Sequence, residues 1–357
     1  MKRSIISILS FILLAKVGFA YSLFNTRGLG MYYPPAEFQK IFSRAKTRMD
    51  VGFVLEYNYA TNNTAVRDML MFRPQRITFF TPLPWKFGLS LNICERYNLD
   101  FSVRSDSTSS GDYTLIRAIT GRGGVAGFRV ALDKTIFNII YLGGGYERYF
   151  GGAWERWDSE IIELKEKTVD SLLYHFRGNG AWAMAGVNIG TFQLRGFYNH
   201  SFDLNIDTEV QTSRDTSLLD SASYQPPAEF GGILTYRARD YSLGLSYIQQ
   251  TGGNAGRLEF VPGRIVELGG GYKFDNFSIN AKAGWHQWYV RTNDNQAISD
   301  IYLGFGTRIP LKQYGVALLN LTGGYRTGGE LSEYHAELNL GIEFNELWKK
   351  RERKWGG

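Results

Sequence analysis

The side chains best able to do covalent or metal chemistry are few in this sequence and far apart. There are four histidines, His175, His200, His286 and His335, and one cysteine, Cys94. A single cysteine makes no intrachain disulfide and no thiolate cluster. No two histidines have the spacing that puts a pair of metal ligands on one helical face. The best nucleophile–base candidate is His200 beside Ser201, in Tyr198-Asn199-His200-Ser201-Phe202. A hydrolase needs such a pair in contact, but neighbours on a strand point to opposite faces. His335, near Glu333, is expected beside a loop and facing water, and Cys94 as a small buried residue. The runs Gly143-Gly144-Gly145 and Gly269-Gly270-Gly271 lack the lysine and the strand–loop–helix setting of a phosphate cradle. They read as places where a strand curves or another segment comes close. The chain is therefore read as a non-enzyme, with no catalytic residue, no metal site and no cofactor.

The elements that carry these residues have a period of two. Tyr241, Leu243, Leu245 and Tyr247 alternate with Ser242, Gly244 and Ser246, and Leu338, Leu340, Ile342 and Phe344 with Asn339, Gly341 and Glu343. Each such strand has one apolar and one polar face. From Phe87 to Val103 one parity is apolar with Glu95 the single breach, a run of ~56 Å at about 3.3 Å per residue. Soluble sandwich strands are usually shorter, whereas a transmembrane strand takes about 9–11 residues to cross and projects beyond. Counted from the turn at Pro82-Leu83-Pro84, Glu95 is expected near the far interface, where a charge is cheap. Among 357 residues there are 41 Gly and 9 Pro, with 44% hydrophobic and 15% aromatic content. Past residue 20 no apolar run approaches the roughly 18 residues of a membrane helix. These features exclude a disordered chain and a multi-helix membrane protein.

Strands are expected at 46–59, 73–82, 86–105, 112–132, 136–150, 172–189, 191–211, 226–238, 240–251, 259–274, 276–292, 296–309, 314–327 and 331–345. Every second connection is then short. The others are mostly longer and polar, as at 60–72, 151–171, 212–225 and 252–258, and 151–171 is rich in acids. Short turns at one end and long loops at the other suit a barrel of the bacterial outer membrane.

The ends carry their own signals. Lys2 and Arg3 precede an apolar stretch, and Gly18-Phe19-Ala20 supplies small residues for cleavage, so 1–20 reads as a secretory signal. Residues 21–45 form an N-terminal hatch-like segment. Within it Pro34-Pro35 opens an expected short amphipathic helix over 35–44 in which Phe38, Ile41 and Phe42 share a face. It is either a periplasmic lead-in or a plug inside the barrel, with Arg27, Phe38, Ile41 and Phe42 as its candidate contacts. The barrel takes 46–346, and 347–357 is a basic periplasmic tail. The formal charge of +6 includes three lysines and arginines of the signal, and the remainder does not suggest nucleic acid.

Parity assigns Glu56, Asn92, Arg129, Arg195, Phe197, Glu267, Lys282 and Glu337 to the interior as candidate lining residues. Their mixed signs point to internal ion pairs and not to a selectivity ring of one sign. Tyr97, Tyr141, Tyr198, Trp285 and Trp288 are expected in interfacial aromatic girdles, and His286 inside.

Three stretches carry a resemblance to a known family. Leu23-Phe24-Asn25-Thr26-Arg27-Gly28-Leu29-Gly30 is similar to the N-terminal hatch of the FadL-like outer-membrane proteins, the long-chain fatty-acid transporter type. Pro226-Pro227-Ala228-Glu229-Phe230-Gly231-Gly232 resembles that family's proline-then-glycine start of a mid-barrel strand. Leu340-Gly341-Ile342-Glu343-Phe344-Asn345-Glu346-Leu347-Trp348 resembles its last strand. The resemblance implies an all-β, antiparallel up-and-down transmembrane barrel of fourteen strands, and the strand count leans on it. It also implies passive uptake of hydrophobic small molecules. The family's Asn-Pro-Ala hatch segment is absent and the segment is short, and no ligand-binding residue carries over. The expected setting is the outer membrane of a Gram-negative-type bacterium, as a monomer in contact with lipid and handed to the assembly machinery through the last strand. The other readings are a water-filled general porin for polar solutes and a structural or secretion-partner barrel without transport.

Overall fold

The computed structural model describes residues 47–61, 66–98, 101–104, 108–110, 113–211, 216–255, 258–291, 296–311, 314–329 and 331–345. The expected signal 1–20, the segment 21–45 with Arg27, Phe38, Ile41 and Phe42, and the tail 347–357 lie outside the described residues.

Fourteen antiparallel strands close into a barrel. They are β1 (Arg48–Thr61), β2 (Val66–Pro82), β3 (Phe87–Asn98), β4 (Tyr113–Ile136), β5 (Ile140–Ile161), β6 (Glu166–Ile189) and β7 (Phe192–Gln211). The second half is β8 (Glu229–Arg237), β9 (Tyr241–Gln250), β10 (Arg264–Lys273), β11 (Ser278–Arg291), β12 (Ala297–Pro310), β13 (Gly315–Gly328) and β14 (Leu331–Asn345). Each pairs with its sequence neighbour, and β1 pairs with β14 from Arg48↔Asn345 to Thr61↔Ser332, which closes the ring. Closure leaves the ring of fourteen strands without a free edge among the described residues, the condition for spanning lipid with strands. Thr216–Tyr224 pairs with the outer part of β7, and Gly253–Ala255 with Leu258–Phe260 forms a separate two-stranded sheet.

Alternation decides which face each residue takes. In β1 the buried Asp50, Gly52, Val54, Glu56, Asn58 and Ala60 point inward, and Phe53 among their neighbours points out. On the outside, exposed Leu243, Leu245, Leu268, Leu303, Phe305 and Leu321 make an apolar belt. Exposed apolar side chains in such a band are at their lowest energy in hydrocarbon, so the belt is what lipid covers.

One end of the barrel has tight turns. Between β4 and β5 Phe137 and Asn138 take φ of 50° and 59°. Between β6 and β7 Gly190 takes φ of 60°, a left-handed position where glycine carries no steric cost. At the opposite end β4 to β7 run far past the belt, with 24, 22, 24 and 20 residues against 9 and 10 in β8 and β9. Crossing takes only about 9–11.

Three expectations are corrected here. The stretch 151–171 is not an open loop: it is the outer part of a β5–β6 hairpin that turns only at 162–165. Likewise 60–72 is mostly strand, since β1 and β2 pair out to Thr61↔Val66. Both faces of such a ribbon meet water, so the alternation that marks strands fades while the ladder continues. The run from Phe87 is not one regular strand either. Its register slips between Glu95 and Tyr97, and it resumes as Phe101–Arg104. Glu95 is answered there by Arg73, whose Nε lies 2.7 Å from Oε2.

Candidate functional site

The interior has two unlike sides. From β4 to β10 it is largely apolar. Register stacks Met184 of β6 against Phe197 of β7, then Gly231 of β8, Ile248 of β9 and Ile265 of β10. Met184, Phe197, Ile248 and Ile265 join Ala131, Tyr141 and Trp182 in one buried cluster against which Ile233 packs. A second cluster lies toward the outer end: Val125, Tyr149, Ala153, Phe176 and Leu204. Tyr149 donates to or accepts from Ser201 Oγ at 2.8 Å, passing over Gly180, where a Cβ would sit 2.5 Å from the tyrosine hydroxyl. Glycine opposite a large side chain lets that side chain lie along the wall instead of across the lumen.

The other side, from β10 round to β3, is charged, and its charges are matched. Arg76 meets Asp50 at 2.9 Å, Arg73 meets Glu56 at 2.8 Å as well as Glu95, and Arg48 meets Glu343 at 3.1 Å. Lys282 meets Glu267 at 2.9 Å, and Tyr302 donates to the same carboxylate oxygen at 3.1 Å. Nearer the outer mouth Arg326 pairs with Glu333, lies 3.6 Å from Asp300, and stacks on Trp288 with 4.0 Å from Cζ to the ring centroid. His335 binds Asp300 at 2.8 Å. Buried ions persist only when paired and hydrogen-bonded, and this side is built that way. Between the two sides Glu147 of β5 binds Arg96 of β3 at 2.7 Å and Arg129 of β4 at 2.9 Å. Arg129 also covers the Trp182 ring at 5.0 Å.

The eight interior candidates all face inward but form no single site. Asn92 stands opposite Arg129 and donates to Thr78 Oγ1 at 2.6 Å; Glu56 stands opposite Glu337; Glu267 and Lys282 pair. Arg195 and Phe197 sit two apart on β7, Arg195 donating to Gln193 at 2.6 Å and Phe197 in the apolar cluster.

Two girdle residues are corrected. Tyr141 and Trp288 are not interfacial but face the lumen, 1% and 3% exposed. Tyr141 shares parity with Gly143, Gly145 and Glu147, and Trp288 with His286, so parity outweighs the aromatic preference for strand ends. Tyr198 is exposed on the outer face, while the side chain of Tyr97 is outside the description. His335 is not turned to water, being 3% exposed and ion-paired. His200 lies on the outer side, stacked on Tyr198 at 6.1 Å and edge-on to Phe202 at 5.2 Å, and Ser201 is buried inside. The pair therefore shares no site.

Sequence reasoning passed over a row that register makes plain. Trp182 stands opposite Asn199, Asn199 opposite Glu229, and Glu229 opposite Gln250. All four are buried. Asn199 Nδ2 donates to Glu229 Oε2 at 3.3 Å and Gln250 Nε2 to Glu229 Oε1 at 2.9 Å. The readable signal was Glu229, a carboxylate on the lumen parity of a strand with few other polar residues. Among the described residues no group of His, Cys, Asp and Glu is arranged to hold a metal.

Similar architectures are known. A Pseudomonas aeruginosa FadL homologue superposes with a TM-score of 0.61 at 12% identity, covering 92% of this chain and all of that one. The fold is similar to that of the FadL-type barrels. The monoaromatic hydrocarbon channel CymD gives 0.54 at 11% identity over 92% of this chain and 94% of its own. The Pseudomonas putida toluene transporter TodX gives 0.54 at 9% identity over 86% and 91%. No sequence-family profile matches the chain, and no curated protein matches it in sequence. At these identities the FadL-type likeness is one of fold; side-chain chemistry is this chain's own.

Proposed function

We propose that this FadL-type barrel is a monomeric outer-membrane channel of a Gram-negative-type bacterium for passive uptake of hydrophobic small molecules. The observation that carries the reading is the apolar side of the lumen, where Met184, Phe197, Ile248 and Ile265 line adjacent strands. Apolar surface lining a passage lowers the cost of moving an apolar solute through it. The matched charges opposite favour no ion of either sign. That two structural neighbours are named for toluene and monoaromatic hydrocarbons supports the same reading. In this account residues 1–20 direct export, a solute enters among the long hairpins, and it descends along β6 to β10. Movement of 21–45 then opens the way to the periplasm. No energy source is needed.

The test uses the full mature chain refolded into vesicles whose outer leaflet is lipopolysaccharide, which slows hydrophobic solutes. Naphthalene is expected to enter several-fold faster than into protein-free vesicles, with glucose unaffected. Fast glucose entry with unchanged naphthalene entry would make the barrel a polar pore instead.

A further inference from the structure

The row above the apolar stack leaves hydrogen-bonding valences open. Met184, Phe197, Ile248 and Ile265 form one luminal row, and the next row outward on the same strands is Trp182, Asn199, Glu229 and Gln250. Glu229 accepts from both amide N–H groups, which turns the two amide oxygens away from it. Asn199 Oδ1, Gln250 Oε1 and the indole Nε1 of Trp182 are all buried with no hydrogen-bond partner. Their residues are 7%, 2% and 8% exposed. Buried polar groups are nearly always satisfied, and one left open costs free energy. Here one donor and two acceptors stand open beside a greasy surface.

We infer that this row is a binding site for a neutral hydrophobic molecule bearing a hydroxyl, of which an alkylphenol is the simplest case. The proposal rests on the uptake reading and narrows it. A hydroxyl accepts from the Trp182 N–H, which lies over Gly145 at one end of the row, or donates to the Asn199 or Gln250 oxygen at the other, while its apolar body packs on Phe197 or Ile248. A hydrocarbon leaves all three groups open. A carboxylate has no proton to give the amide oxygens and lies beside the Glu229 carboxylate, and the cations closest to the row, Arg96 and Arg129, both bind Glu147. A site that hydrogen-bonds a hydroxyl rejects the analogue lacking it because its own buried groups are then unpaired.

Equilibrium binding to the refolded full-length barrel in detergent tests this with three probes: 4-propylphenol, propylbenzene and 4-propylbenzoate. The phenol is expected to bind about tenfold more tightly than propylbenzene, the gain of one neutral hydrogen bond, and more tightly than the benzoate. Trp182→Phe keeps the ring and removes the donor. It is expected to cut the phenol's advantage to about threefold or less while leaving propylbenzene within about twofold. Gln250→Met, away from the indole, is the second variant and should trim the same advantage. Equal binding of phenol and propylbenzene, or a variant that weakens both alike, would overturn the hydroxyl site while keeping hydrophobic uptake. Tightest binding of the benzoate would make the site an anion site. Failure of the folded barrel to bind any of the three would remove the uptake reading as well.

Discussion

The two sides of the lumen differ in what holds them in place. On β4 to β10 large apolar and aromatic side chains pack on one another, and contact area does the work. From β10 round to β3 many of the buried side chains are long, charged and joined in pairs and small networks. An apolar surface tolerates change in small increments, because a lost methylene costs in proportion to its area. A buried ion network does not, because removing one partner strands the other. The difference teaches that the charged side is the one least able to change, and under the proposed function the apolar side is the one that meets solute.

The sharpest break of that comparison is Glu147→Gln. It leaves Arg96 and Arg129 buried against a neutral amide and is expected to destabilise the folded barrel by about 3–5 kcal/mol. Urea titration followed by the heat-dependent gel shift of the barrel measures it, and a change under 1 kcal/mol, well below that range, would mean the cluster is hydrated. Next comes Met184→Ala on the apolar side, expected to cost about 2 kcal/mol through lost burial and a small cavity. Glu95→Gln should cost about 1 kcal/mol by the same titration, because Arg73 keeps Glu56. A cost near that of Glu147→Gln would show that the charged side acts as one cooperative unit.

The smallest effect lies outside the membrane, at the β5–β6 hairpin tip. Burial works against the charged form of Asp158, but hydrogen bonds and the charges of Arg156 and Lys167 hold its carboxyl below the usual carboxylate range. Its contribution to tip order is therefore present above the ordinary carboxylate value. It is lost as pH falls through the lowered one. Protease cleavage at 162–165 is expected to stay flat from neutral pH down to the ordinary carboxylate range and to rise only below it. A rise beginning near neutrality would point to another group.

How far the sequence could be read follows from the same physics. Alternation was legible wherever one face met lipid, so Leu243 and Leu245 placed β9 and the inward parity of Glu56, Arg129 and Lys282 needed no structure. It failed at 151–171, where both faces of the ribbon meet water. It was overruled at Tyr141 and Trp288 by a preference for aromatics at strand ends, although Gly143 and His286 two positions away had the answer. The row of Trp182, Asn199, Glu229 and Gln250 was not legible, because its four members come from four strands and only register brings them level. The resemblance stretches at 226–232 and 340–348 led to the right architecture but pointed to no contact residue.

The central claim is that solute moves along the apolar side of the lumen, and placing one arginine on each side tests it most directly. Ile248→Arg sets a cation among Phe197 and Ile265, one row from Glu229, whose oxygens already accept from Asn199 and Gln250. Thr322→Arg adds the same bulk opposite Glu337, which can pair with it. With both variants folded by the gel-shift criterion, naphthalene uptake is expected to fall about tenfold or more in the first and to stay within about twofold in the second. Equal losses, or a larger loss in Thr322→Arg, would contradict passage along the apolar side.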